Sequence, residues 1–150
     1  MNVVARTQPT RARCRVAPTA LALLESARQG LADAAGEPGT GGRYVAAHLA
    51  ALRAAAAVVA AKAEPHPGPR RKRPSSVWEL LPRVEPALAE WSAFFAAGAR
   101  KRAAAEAGLP RAVSAQEADE LLRDAETFLS LAEEALGLPA QPLLPLRSAG

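Results

Sequence analysis

Disulfide chemistry is closed to a chain with one cysteine. Cys14 has no partner within the sequence, so no internal bridge can form and a reducing compartment is the expected setting. Two histidines, His48 and His66, together with that cysteine leave no ligand spacing for zinc, and no metal or other cofactor is expected. Aromatic residues make up 4% of the chain, so few large rings are on hand to fill a core. Unbroken apolar runs fall short of the roughly 18 residues that a membrane helix needs. Arginines ahead of Ala17–Leu24 imitate a signal peptide, but the apolar run is short and Glu25 stands where a small-residue cleavage site belongs. The expected protein is cytoplasmic, with no membrane partner.

What the chain has is alanine, which supplies much of a 49% hydrophobic composition over 150 residues, enough for one domain. Alanine favours the helix and lets helices approach closely, while each residue buries little area. Stability must therefore come mainly from the few Leu, Val, Phe and Trp side chains. The formal net charge is +4, unevenly placed. Arg6, Arg11, Arg13 and Arg15 lie in the first sixteen residues; Arg70, Arg71, Lys72 and Arg73 form a second cluster and Arg100, Lys101 and Arg102 a third. Acids collect late, from Glu117 to Glu134. Such asymmetry suits an anionic partner as well as it suits solvated tails and faces. The alanine, arginine, proline and glycine bias also fits a GC-rich bacterial genome.

The periodicity is helical throughout. Residues 1–16 carry none and are read as a disordered basic tail. A first helix from about Pro18 to Ala35 presents Leu21, Leu24, Arg28 and Leu31 on one face, and Gly36–Gly42 ends it. That Gly-rich turn follows no strand and lacks the P-loop lysine, so phosphate cradling is set aside. The second helix, Gly42 to Lys62, carries Val45, Leu49, Leu52, Ala56 and Val59 at helical spacing and is expected to be central. Residues 63–75 hold four prolines and the second basic cluster, a mobile loop. Ser76 with Glu79 and Ser114 with Glu117 are capping boxes that open the next helices. Pro82 and Pro86 predict a kink or break within Leu81–Pro86, followed by a long helix to Ala107. The last helix runs to Leu136, and residues 138–150 form a Pro/Leu-rich tail. The result is an all-α, up-and-down bundle of four main helices occupying residues 17–137.

Several stretches carry a family resemblance: Arg43 through Ala54, Trp78-Glu79-Leu80-Leu81, Glu90 through Gly98, and Ser114 through Asp119. Over about Thr19 to Leu136 the chain resembles the HEPN (higher eukaryotes and prokaryotes nucleotide-binding) superfamily, in particular a small actinobacterial HEPN family of unassigned activity. Many HEPN proteins are metal-independent ribonucleases with an Arg-x4-6-His motif in a cleft completed by a symmetric dimer. The resemblance thus implies a homodimer and names Arg43 and His48 as catalytic candidates. In such a pair, arginine would stabilise the cyclising phosphate and histidine would exchange a proton.

Two observations oppose that assignment. Residues five apart point about 140° apart around a helix. The ribonuclease motif also belongs to a later helix, near Arg100–Arg102 and Arg111 here, where no histidine lies. A structural histidine with one hydrogen-bond partner outweighs catalysis. Trp78, Trp91, Phe94 and Phe95 could offer a base-stacking platform, although Trp91 and Phe95 sit on the core stripe. Phosphate contact falls to Arg70, Arg71, Lys72 and Arg73, with Arg100, Lys101 and Arg102 as further candidates. The reading is a non-catalytic accessory HEPN module engaging RNA or DNA; the alternatives are a HEPN ribonuclease and a pure protein-interaction module with an unknown protein partner.

Overall fold

A computed structural model describes residues 16–63 and 76–139, and among them the regular structure is helical, with no strand. The elements are α1 (Pro18–Gly36), α2 (Thr40–Lys62), α3 (Val77–Val84), a 3-10 turn (Pro86–Leu88), α4 (Ala89–Ala97), α5 (Ala99–Glu106) and α6 (Ala115–Ala135). They form four helical regions, the third of them broken, in an all-α bundle. The basic loop with Arg70, Arg71, Lys72 and Arg73, most of the N-terminal tail and nearly all of the C-terminal tail lie outside the described residues.

α2 is central, packed against α1, α3, α5 and α6. Its buried face is not the expected one. Val45, Leu49, Leu52, Ala56 and Val59 are all half-buried, while Tyr44, Ala47, His48, Ala50, Ala51, Ala54, Ala55, Ala57 and Val58 are buried. The larger side chains fill the margins of the contacts, and the methyl-sized ones lie where backbones come closest. On α1 small residues share the buried face with two leucines: Ala20, Leu24, Ala27, Gly30, Leu31 and Ala34 are buried and Leu21 is exposed. A Cβ built on Gly30 would stand 3.3 Å from the Ala50 Cβ, so the glycine, costly to helix propensity, sets the close α1–α2 crossing.

Of the two predicted capping boxes, one forms complete and one forms by half. Ser114 and Glu117 satisfy each other's backbone N–H groups, whereas at Ser76 the hydroxyl accepts the Glu79 N–H at 3.2 Å.

Helix α3 runs through Pro82 and stops at Glu85, whose φ of −145° and ψ of 83° break the helix inside the predicted segment. Pro82 has no N–H to give the Trp78 carbonyl, four residues back. The Ser92 hydroxyl donates to that carbonyl instead, at 2.5 Å in a buried setting.

The expected continuous helix from Pro86 to Ala107 is corrected: it divides at Gly98 into α4 and α5. A Cβ at Gly98 would stand 2.9 Å from the Tyr44 hydroxyl, so α2 presses on the chain just where the helix divides.

The few rings gather in one place. Trp78 stacks on Phe95 with centroids 5.3 Å apart, and Phe128 meets Phe95 at 5.1 Å. Trp78 is therefore a core residue and not part of a stacking platform.

The sequence reading also missed that α2 is long and apolar enough to cross a membrane, with a mean hydropathy of 1.6. Alanine raises the average without making an unbroken run of large apolar residues. Half of that stretch is buried inside the fold, the position of a core helix.

Candidate functional site

His48 faces inward from α2 and is fully buried. Its Nε2 lies 2.8 Å from the Phe95 carbonyl, which can only accept, so the proton sits on Nε2. The opposite nitrogen, Nδ1, faces Arg102 Nη1 at 3.4 Å. Burial pushes the His48 pKa down, and the Arg102 charge pushes it further the same way; the Phe95 carbonyl opposes both. The imidazole is held neutral, with both nitrogens engaged. Arg102 in turn pairs with Glu106, at 3.0 Å from Nε to Oε1.

Tyr44, one turn before His48, stacks near its ring with centroids 6.4 Å apart. Burial raises the Tyr44 pKa, so the phenol is held protonated.

The other candidates divide sharply. Arg43 points away from His48: its Nη1 meets Asp119 at 2.7 Å, and its Nη2 donates to the Glu37 carbonyl at 3.2 Å. It ties the turn between α1 and α2 to the start of α6. Lys101 pairs with Glu117, and their hydrogen bond raises the lysine pKa and lowers the glutamate's. Arg100 is exposed and pairs with no carboxylate among the described residues. The third basic cluster is thus mostly matched inside the fold. An arginine does meet His48, but it is Arg102, from a different helix. No sequence spacing announces that pair, since 54 residues separate the two.

Two adjoining clefts follow the groove between α4 and α6, where Trp91 and Phe94, two of the expected stacking candidates, meet carboxylates of α6 that no sequence spacing joins to them. The first, of about 360 Å³, is lined by Glu90, Trp91, Phe94 and Asp124. The second, of about 300 Å³, shares Phe94 and Asp124 and continues past Tyr44, Lys101, Glu117 and Glu120. Rings hold the two helices apart: Phe128 of α6 lies 5.9 Å from Trp91 of α4, centroid to centroid. Among the described residues, no group of His, Cys, Asp and Glu side chains is placed to hold a metal.

The model of the SAV_6107-like HEPN family matches residues 32–133. That stretch begins within α1 and ends near the close of α6, so it takes in α2 with His48 and both clefts. No curated protein and no solved structure matches the chain.

Proposed function

Because the chain belongs to the SAV_6107-like HEPN family, whose model covers most of its helical domain, we propose that it is a non-catalytic HEPN module that works by binding nucleic acid. The observation that carries the non-catalytic part is the state of His48. A general acid or base must reach the proton it transfers. His48 is sealed from solvent, its donor is spent on the Phe95 carbonyl and its acceptor faces a cation. Arg43, the other half of the motif, is engaged by Asp119 and Glu37. The pair that would cleave RNA is instead part of the packing.

Nucleic-acid binding rests on charge. Lys101 and Arg102 are matched by Glu117 and Glu106, which leaves Arg70, Arg71, Lys72 and Arg73 as the densest run of cations, with Arg100 as an exposed addition. Four adjacent cations repel one another, and phosphates would relieve that repulsion.

The test pairs two measurements on the full chain. Incubation with RNA in chelator should yield no cleavage, and His48→Gln should change nothing; metal-free cleavage lost in that variant would support the ribonuclease reading instead. Titration of an oligonucleotide at several salt concentrations should show steeply salt-dependent binding. Replacing Arg70, Arg71, Lys72 and Arg73 with serine should lower the salt slope by about 3 to 4 on a duplex. Equal slopes, or no binding by wild type at low salt, would remove nucleic acid as the partner.

A further inference from the structure

The groove between α4 and α6 joins aromatic rings to carboxylates in a chain of net positive charge. Phe94 is 46% exposed on it, and Trp91 stands beside Phe94 with ring centroids 6.3 Å apart and planes at 84°. Two rings at right angles give a cleft two apolar walls. Carboxylates complete it, Glu90 from α4 and Asp124 from α6. Neither carboxylate forms a salt bridge among the described residues. Flat π surfaces and anions set around a small cavity attract a guanidinium or an ammonium, through the ring quadrupole and through charge.

Asp124 adds support. Burial raises its pKa and the neighbouring Glu120 charge raises it further, while the Arg123 charge offsets them only in part. An incoming cation would offset both effects. The second cleft continues the groove, sharing Phe94 and Asp124 and adding Glu120, with the Lys101–Glu117 ion pair, neutral as a unit, along its far wall. A single small amine would fill one cleft and leave the other empty. An extended chain places cations along one side about 7 Å apart, at every second residue, and so can serve both.

We propose that this groove binds a basic peptide segment of a partner protein, seating an arginine or lysine side chain between the Trp91 and Phe94 rings and the Glu90 and Asp124 carboxylates. The charge of the occupant is opposite to that of the phosphates expected at Arg70–Arg73. The two surfaces therefore serve different partners, and either can fail without the other.

Calorimetric titration of the full-length protein with a short blocked oligoarginine peptide tests the assignment, with spermine as the non-peptide cation. The peptide should bind in a salt-sensitive manner and more tightly than spermine. Phe94→Ala, at an exposed position, should weaken it by about two- to fivefold. The pair Glu90→Gln with Asp124→Asn should weaken it by about tenfold. Glu25→Gln with Glu134→Gln, which removes two acids outside the groove, should leave it unchanged.

Absence of peptide binding at low salt would overturn the proposal. So would equal weakening by the control pair, which would reveal general charge attraction, and so would spermine binding as tightly as the peptide. Binding that appears only after Arg70, Arg71, Lys72 and Arg73 are changed to serine would assign the groove to the chain's own basic segment, and would overturn the foreign partner.

Discussion

His48 meets two demands at once, a carbonyl that must receive a proton and a guanidinium that must not face a second positive charge. Both are met by the neutral ring. Burial, aided by the Arg102 charge and opposed by the Phe95 carbonyl, holds its folded pKa below the ordinary value of 6.5. The sign follows directly: below 6.5 the unfolded chain takes up a proton that the folded chain refuses. The stability that His48 contributes is present above that pH and is lost progressively as the pH falls towards and through the folded pKa. Melting temperatures measured on the way down should show this loss in wild type. His48→Gln keeps an N–H for the Phe95 carbonyl but cannot titrate, so its profile should be flatter in the same window. Parallel profiles for the two proteins would contradict the assignment. Carboxylates act at lower pH: Glu117, with a lowered pKa, contributes with the same sign as His48, whereas Asp124 and Glu126, raised mainly by burial, contribute with the opposite one.

At the scale of the element, prolines and glycines set where helices stop and turn, but their neighbours set how. Pro82 and Pro86 announce a break, and it falls at Glu85 within the predicted segment. The sequence does not announce that Ser92, fourteen residues after Trp78, supplies the donor that Pro82 withholds. Ser92→Ala should leave the buried Trp78 carbonyl unsatisfied and cost about 1–3 kcal/mol in denaturant unfolding. In a Pro82→Ala background, where the helix can supply its own N–H, the same substitution should cost clearly less. Equal costs in the two backgrounds would show that the carbonyl does not depend on Ser92. The break at Gly98 was illegible for a related reason. It lies against the Tyr44 hydroxyl, far away in the sequence, which stands 2.9 Å from where a Cβ would be. The buried face of α2 was misjudged because periodicity weighs large apolar residues, whereas a central helix in an alanine-rich bundle buries its small ones.

Across the whole molecule, one ion pair joins the first helix to the last. Arg28 of α1 reaches Glu133 of α6, with side-chain exposures of 20% and 4%. Arg28 was expected on the buried face of its helix, and its partner was not foreseeable. A pair this far from water is sensitive to the loss of one member, because the other charge is left without compensation. Arg28→Met should destabilise the fold towards the lower end of about 3–5 kcal/mol, since Arg28 retains some solvent. Adding Glu133→Leu should recover most of that loss by removing the stranded carboxylate. Denaturation midpoints of the single and double variants measure the coupling, and additive effects would show that the pair does not act as a unit.

The sequence by itself determined the all-α class, the end of α2 at Lys62, the caps at Ser76 and Ser114, the proline break and the family resemblance. These depend on residues within a few turns of one another, and helix periodicity, capping and proline chemistry are local. Tertiary structure alone decided which face of α2 is buried, where the helix before Glu106 divides, that Arg102 and not Arg43 meets His48, and that Trp91, Phe94, Glu90 and Asp124 share a groove. Each of those depends on distances between helices far apart in the chain. Such distances are set by how closely small side chains let backbones approach and how far rings hold them apart.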